Sequence, residues 1–330
     1  MPKAFIKSCG AYVPENIITN QYFDDYLQIN VSDWLENTAQ IYERRWISEG
    51  QTTSDLATEA GQQCLTRADI SPEDVDLLIV ATDTPDYISP STASVTQDKM
   101  GCINAGTFDL NSACAGFVTG LDVGSKYIAT DSNYQNVLVI GAYTMSRFLN
   151  KYDKKTVTLF ADGAGAILLQ SASEDESFGF KHSELRTMGQ YNKWMGVYGG
   201  GSHQPAHQSE GDSNNYYLQF VKKFPSEINP NTWSEMAIEL NKKGNVNSGD
   251  VDKYFITQIN VNSLYETMDI LKVPRDKAYS NMHYNGYTGS ACIPLAFNDA
   301  WENKAVKKGD LVYFIGSGGG LAFASTSFVL

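Results

Sequence analysis

The chain has 330 residues, enough for two domains or for one large domain built from two halves. With 42% hydrophobic and 19% charged residues it has the composition of a globular protein, which excludes a disordered or fibrous chain. The net charge of −13 disfavours nucleic acid as a partner, because an acidic surface repels phosphate backbones. No apolar run approaches the roughly 18 residues that a membrane span requires, so no membrane segment is expected.

The N-terminal segment and the cysteines bear on the cellular compartment. Residues 1–8 lack the apolar core of a secretory signal, so a cytoplasmic location is expected. The five cysteines are widely spaced, odd in number and without a C-x-x-C pair, which argues against a disulfide framework or a metal cluster. We therefore expect free thiols, one of them a candidate nucleophile, and no metal.

Four apolar runs predict strands that are buried on both faces. They cover residues 76–82, 136–141, 253–258 and 310–316. Amphipathic stretches predict helices at 53–68, after Cys114, at 230–243 and at 291–304. Strands that alternate with helices are typical of an α/β protein.

Three short matches indicate an internal repeat of about 175 residues. The first and third strands both follow Asp-Val-Asp, and the second and fourth both end in Ile-Gly. Between them, Ser-Ala-Cys ending at Cys114 matches Ser-Ala-Cys ending at Cys292. We therefore expect two similar α/β halves, residues 1–172 and 173–330, with the ligand site between them.

The segment 107–121 predicts a strand, a tight turn of small residues and a helix, with Cys114 at the helix start. There the helix dipole and free backbone N–H groups favour the thiolate, so a pKa below the usual value of about 8.5 is expected. A thiolate in such a turn is a good acyl acceptor. The alternative from the residue type alone is a small, buried, structural cysteine.

Four segments resemble the β-ketoacyl-acyl-carrier-protein synthase III family, in order along essentially the whole chain. They are 111–117, 160–169, 287–296 and the glycine-rich run 316–320. The resemblance implies the thiolase fold, a duplicated five-layer αβαβα architecture, usually as a homodimer. It also implies that Cys114 takes an acyl group from coenzyme A or an acyl carrier protein, with no cofactor besides that thioester.

The same resemblance implies further site residues. The backbone N–H groups of Cys114 and Gly320 would form an oxyanion hole, which a glycine-rich turn suits because no side chain interferes. Trp34 would stack on the coenzyme adenine, and Tyr87 would reach across the dimer into the neighbour's acyl pocket. Coenzyme phosphates or an acidic carrier would dock on a basic cluster of Arg147, Lys151, Lys154 and Lys155. The alternatives are a structural turn, a core tryptophan, a loop aromatic and a solvated face.

The chain departs from the family motifs at two positions. The family's His-Gln-x-Asn motif falls on Thr257 to Asn260, so threonine replaces the histidine, and Asn260 remains as an expected substrate contact. The family's second motif places Tyr287 where an asparagine is expected. Neither side chain titrates near neutral pH, which puts ordinary malonyl-driven elongation in doubt. An unperturbed histidine has a pKa of about 6.5, which suits a general base near neutral pH. His283 is therefore either the partner of Cys114 or a structural histidine.

Three functions stay open at this stage. The leading hypothesis is a ketoacyl synthase III-type acyltransferase that forms a carbon–carbon bond in specialised fatty acid or polyketide-type metabolism. The second is acyl transfer to oxygen or nitrogen without condensation. The third is a non-catalytic subunit that completes a heterodimer with a related chain, against which the retained Cys114 and terminal glycines argue.

Overall fold

The computed structural model describes residues 1–174, 177–208 and 213–330. Within these ranges the strands are β1 (Lys3–Tyr12), β2 (Asn16–Thr19), β3 (Glu43–Trp46), β4 (Leu77–Ala81), β5 (Gly106–Leu110), β6 (Asn136–Thr144), β7 (Asp162–Ala172), β8 (Gly179–Thr187), β9 (Met195–Gly196), β10 (Gln219–Phe220), β11 (Lys253–Ile256), β12 (Leu311–Gly318) and β13 (Ala322–Val329). The α-helices are α1 (Asn20–Leu27), α2 (Ser32–Trp34), α3 (Thr53–Ala68), α4 (Thr92–Met100), α5 (Gly116–Thr130), α6 (Lys154–Val157), α7 (Ile228–Gly244), α8 (Val261–Leu271), α9 (Met282–Asn285) and α10 (Cys292–Glu302).

Two main sheets share one strand order. The first runs β1-β7-β6-β4-β5, and the second, read from the corresponding edge, runs β8-β13-β12-β11. In both sheets the first two pairings are antiparallel and the third is parallel. Strand β5 extends the first sheet by pairing in parallel with β4. The equal order and direction identify the two sheets as copies of one unit.

The helices form three layers around these sheets. Helices α3 and α4 cover the outer face of the first sheet, and α7 and α8 cover the outer face of the second. Helices α5 and α10 lie between the sheets and contact strands of both. The expected five-layer αβαβα thiolase architecture is confirmed. The predicted boundary after residue 172 falls between β7 and β8, which belong to different sheets.

The central helices need apolar residues on several faces because each contacts both sheets. Phe117, Val118 and Leu121 on α5 are fully buried, as is Phe297 on α10. Strand β12 lies so close to the start of α5 that a Cβ on Gly316 would be 2.9 Å from the Cα of Ala115. This contact places the end of β12, from the second half, against the turn that carries Cys114.

All five cysteines are buried and free, which confirms the expectation of free thiols. Within the part of the chain that the structure describes, no helix combines the length and apolarity needed to cross a bilayer. Helix α3 has the predicted bounds, and the four predicted buried strands correspond to β4, β6, β11 and β12.

Candidate active site

The site forms where neighbouring parallel strands end. Strand β4 pairs in parallel with both β5 and β6, so the three carboxyl ends lie at one edge of the first sheet. Asp83 follows β4, the turn 111–114 follows β5, and Tyr143 lies in the last residues of β6. Loops at the carboxyl ends of parallel strands converge, and these segments do so here.

Backbone hydrogen bonds hold Cys114 in a tight turn before α5. The side-chain oxygen of Asn111 accepts a hydrogen bond from Ala113 N–H at 3.0 Å. The carbonyl of Ser112 accepts from Ala115 N–H at 3.1 Å, and that of Ala113 accepts from Gly116 N–H at 2.9 Å. Ala113 has a φ of 46°, a left-handed conformation that costs a non-glycine residue of the order of 1 kcal/mol or more. The predicted tight turn is therefore present, and it is strained directly before the sulfur-bearing residue.

Tyr287 lies beside Cys114. Only 2% of Cys114 and 2% of Tyr287 is exposed, and both residues line the same cavity. The backbone of Tyr287 is fixed by hydrogen bonds to Leu159 and Ala161, both of 2.9 Å. Its ring packs on Phe160 with the centroids 5.2 Å apart. Tyr287 therefore holds a fixed position next to the candidate nucleophile.

The expected low pKa of Cys114 is wrong. Burial raises the pKa of Cys114 well above its usual value, and the negative charge of Asp83 raises it further. The hydrogen bond from Tyr287 lowers that pKa in part. Desolvation outweighs the helix dipole because almost none of Cys114 is exposed to solvent. At neutral pH Cys114 is a thiol.

Thr257, the residue predicted to replace the family's histidine, is hydrogen-bonded to the backbone. Its Oγ1 accepts a hydrogen bond from Ser317 N–H at 2.8 Å and donates to the Ser317 carbonyl at 3.3 Å. Burial and the neighbouring Cys114 raise the pKa of Tyr287 well above its usual value. Neither residue accepts a proton near neutral pH.

Two cavities adjoin the nucleophile turn. Cys114, Thr257 and Tyr287 line the first, which has a volume of about 70 Å³ and is closed by Met195 and Phe220 among other apolar side chains. The second has a volume of about 300 Å³ and shares two lining residues with the first. Its polar lining includes Asp83, Asn111, Tyr143, Asn192 and Tyr198.

The structure does not bring His283 to Cys114. Its Nδ1 lies 2.5 Å from the carbonyl oxygen of Gln40, and His283 is not among the described residues that line either cavity. The reason is the start of α9: the side-chain oxygen of Gln258 accepts from the backbone N–H of Asn281 at 3.0 Å and of Met282 at 3.1 Å. This directs the His283 ring towards the N-terminal segment, so the geometry does not support its predicted role as base.

Asn260 and Gly320 are not among the described residues that line the cavity of Cys114. Asn260 is exposed and caps α8 by accepting a hydrogen bond from Asn262 N–H at 3.0 Å, and its substrate contact stays a prediction. Gly320 lies in the turn between β12 and β13, with a φ of 132°, and lines the larger cavity. Its part in an oxyanion hole stays a prediction.

Three predicted residues lie on the surface. Trp34 is 51% exposed and lines a surface pocket of about 300 Å³ together with Lys154 and Lys155. Arg147 lies outside that pocket, and its guanidinium donates to the Ser48 carbonyl at 2.9 Å. Tyr87 is 57% exposed in the loop after β4. Lys154 and Lys155 of the predicted basic cluster therefore adjoin Trp34, whereas Arg147 does not.

Asp83 is the residue of this site that the sequence analysis missed. Its Oδ1 is shielded from solvent and has no hydrogen-bond partner among the residues that the structure describes. Burial raises the pKa of Asp83 to about 6. A signal was present, because Asp83 is a charged residue directly after a predicted buried strand, where parallel sheets place functional groups.

Comparisons with known proteins agree with this architecture. The family model of 3-oxoacyl-[acyl-carrier-protein] synthase III matches residues 108–189, and the model of its C-terminal part matches 241–330. The β-ketoacyl-[acyl-carrier-protein] synthase III of Fusobacterium nucleatum is 37% identical, over 97% of each chain. That of Caldanaerobacter subterraneus is 36% identical, over 98% of this chain and 96% of its own. The solved structure of 3-oxoacyl-[acyl-carrier-protein] synthase III from Aquifex aeolicus is 29% identical, with a TM-score of 0.89 over 100% of both chains.

The five-layer fold and the cysteine presented before its central helix define an acyltransferase of the thiolase fold. More narrowly, the chain belongs to the β-ketoacyl-acyl-carrier-protein synthase III family.

Proposed function

We propose that this enzyme takes an acyl group from a coenzyme A or acyl-carrier-protein thioester onto Cys114 and transfers it to a carbon nucleophile. In the first half-reaction the Cys114 sulfur attacks the thioester carbonyl, the donor's carbon–sulfur bond breaks, and the Cys114 proton passes to the departing thiolate. This chemistry needs neither a metal nor a cofactor. The observation that carries the proposal is the strained turn that presents Cys114 to a cavity, bonded to the Tyr287 hydroxyl.

We expect the acceptor of the acyl group to differ from the malonyl group that an ordinary elongating synthase uses. Thr257 is hydrogen-bonded to the backbone of Ser317, and Tyr287 keeps its proton because its pKa is raised. Neither side chain is a base near neutral pH. These substitutions favour a condensation in specialised fatty acid or polyketide-type metabolism. Transfer to oxygen or nitrogen, and a non-catalytic role in a heterodimer, are the other outcomes of the test.

The surface suggests how the donor arrives. The pocket formed by Trp34, Lys154 and Lys155 combines an aromatic face with two positive charges on an acidic chain. That combination suits a nucleotide with phosphates, or an acidic carrier protein. Tyr87 and Ile88 are 57% and 86% exposed, and we place this loop at a homodimer contact. Free buried thiols and a coenzyme A donor fit a cytoplasmic enzyme.

The proposal is tested by intact-protein mass spectrometry after the chain is mixed with a panel of acyl-coenzyme A and acyl-carrier-protein donors. We expect a mass gain of one acyl group per chain from a subset of donors. The gain should vanish in Cys114→Ala. It should persist in Cys292→Ala, a matched control, because Cys292 is equally buried and holds the corresponding position in the second half.

The same acyl-enzyme is then given carbon, oxygen and nitrogen acceptors, and the products are identified by mass. A product with a new carbon–carbon bond supports the proposal, whereas an ester or amide alone overturns the condensation. No acylation of the wild type by any donor would leave the non-catalytic subunit as the explanation. Loss of transfer in His283→Ala alone would restore that histidine as the base.

A further inference from the structure

We infer that Asp83 is the base of the second half-reaction, and that the acceptor is a thioester activated by removal of a proton from its α-carbon, without loss of carbon dioxide. A β-keto thioester is such an acceptor, because two carbonyl groups acidify its α-hydrogen. This inference rests on the proposed function, since it requires an acyl group on Cys114.

Asp83 is held firmly at the strand ends. The preceding residue, Thr82, donates its N–H to the Leu110 carbonyl at 3.1 Å, which continues the pairing of β4 with β5 up to Asp83. The following residue, Thr84, accepts a hydrogen bond from Thr144 N–H at 2.9 Å at the end of β6. The Asp83 backbone is thus anchored on both sides, to the strand before Cys114 and to the strand that carries Tyr143.

The Asp83 carboxylate lines an open space, and one of its two oxygens has no hydrogen-bond partner among the described residues. It lines the cavity of about 300 Å³ with Ala113, whose peptide bond leads to Cys114. Its Oδ1 is enclosed and makes no hydrogen bond to any described residue. A buried carboxylate oxygen without a partner costs stability, so a ligand that supplies a proton there would relieve that cost.

Asp83 is also electrostatically close to the reacting sulfur. Its negative charge is the largest influence after burial on the pKa of both Cys114 and Tyr143. The cavity that Asp83 lines adjoins the cavity that Cys114 lines, and the two share Met195 and Gly319. A group bound across these cavities therefore lies between Asp83 and an acylated Cys114.

The other candidates for a base are less suited to the role. Thr257 is bonded to Ser317, the pKa of Tyr287 lies well above its usual value, and His283 is not among the described residues that line either cavity. Burial raises the pKa of Asp83 to about 6, which leaves it mainly ionised at pH 7 yet far more basic than an exposed carboxylate. General bases work best when their pKa lies near the working pH.

The step balances without another reactant. The Asp83 carboxylate takes the α-hydrogen as a proton, and the electron pair of the broken carbon–hydrogen bond attacks the carbonyl carbon of the Cys114 thioester. A carbon–carbon bond forms and the carbon–sulfur bond to Cys114 breaks. The Cys114 thiolate that leaves then takes the proton from Asp83, which restores both groups.

The test separates the two half-reactions in Asp83→Asn. Acyl-Cys114 is first formed from the acyl-coenzyme A that loads the wild type, isolated, and then mixed with acetoacetyl-coenzyme A or with malonyl-coenzyme A in single-turnover experiments. We expect Asp83→Asn to load Cys114 fully, which also shows that its site is folded. Its transfer to acetoacetyl-coenzyme A should fall by at least about 100-fold, the usual scale of general-base catalysis.

Asp86→Asn is the matched control. The Asp86 carboxylate lies three residues further along the same loop and accepts a hydrogen bond from Ser54 N–H at 3.0 Å. We expect the Asp86→Asn variant to transfer the acyl group at the wild-type rate. Transfer from Asp83→Asn at the wild-type rate would overturn the inference. So would a wild-type acyl-enzyme that reacts only with malonyl-coenzyme A and releases carbon dioxide. If no acyl-enzyme forms at all, the proposed function itself fails. If Cys114 is loaded but Asp83→Asn transfers at the wild-type rate, only the role of Asp83 fails, so the two failures are distinguishable.

Discussion

At the residue scale, Tyr287 is a main part of the surroundings of the Cys114 sulfur. Its aromatic ring packs on Phe160, and a hydrogen bond from its hydroxyl lowers the pKa of Cys114. A backbone hydrogen bond at Cys114 also lowers that pKa, while burial and the charge of Asp83 raise it. The balance leaves a thiol of raised pKa.

Tyr287→Phe removes that hydrogen bond and keeps the ring. Because the lost donor stabilised the thiolate, the pKa of Cys114 should rise further and the reactive fraction at a given pH should fall, by about tenfold for a hydrogen bond to a charged group. Iodoacetamide alkylation of the Cys114 peptide, followed by mass spectrometry between pH 7 and 10, measures this. The wild-type rate should still be climbing at pH 9, and the variant curve should lie at higher pH.

Tyr313→Phe provides the comparison. Tyr313 is buried and loses a hydrogen bond of 2.9 Å to Asn241, in the outer core of the second half. The Tyr313→Phe variant should unfold at a lower temperature than the wild type, while its Cys114 should be alkylated at the wild-type rate. Equal alkylation rates for wild type and Tyr287→Phe would show that the phenol does not act on the sulfur.

At the element scale, the end of β12 supports the turn before α5. A Cβ on Gly318 would lie 2.6 Å from the Cys114 backbone nitrogen and 2.7 Å from the Ser112 carbonyl oxygen. No side chain fits between the strand from the second half and the turn from the first. The glycine-rich run is thus a requirement of packing as well as a family motif.

Gly318→Ala should therefore displace the turn. We expect the free energy of unfolding to fall by about 1–3 kcal/mol, the usual cost of an overpacked core, and acyl loading to fall sharply. Urea unfolding and the loading rate measure the two effects. Gly249→Ala is the control, since a Cβ there meets no atom within 4 Å, and unchanged loading in Gly318→Ala would contradict the assigned contact.

At the scale of the whole molecule, the duplicated halves share one central core. Helices α5 and α10 lie between the sheets, and their core cluster draws residues from both halves. Removal of either half would expose the apolar faces of these helices. The halves should therefore unfold together, as elements of one cooperative unit.

Hydrogen exchange followed by mass spectrometry in increasing urea tests this cooperativity. Peptides from β7 and from β12 should lose protection at the same urea concentration, because the central core joins them. Peptides from α1, in which only Asn20 and Phe23 are buried, should exchange at lower concentration and report local opening. Loss of protection in β7 well before β12 would show that the halves are separate folding units.

Several elements, the internal repeat and the strand–turn–helix at Cys114 could be predicted from the sequence alone. Apolar runs and helical periodicity give β4, β6, β11, β12 and α3, because the burial of these segments follows from their own residue pattern. The motif at Cys114 is equally local, since its strand, turn and helix are consecutive in the chain.

The groups that surround the sulfur, and the acidity of the Cys114 thiol, follow from the tertiary fold. Asp83 and Tyr287 come from positions 31 residues before and 173 residues after Cys114, and the fold brings both to it, whereas His283 turns towards Gln40. The pKa of Cys114 likewise depends on burial by distant segments, which outweighs the helix dipole that the local pattern predicts. Desolvation and charge act through space, so their outcome depends on contacts that the local sequence pattern does not show.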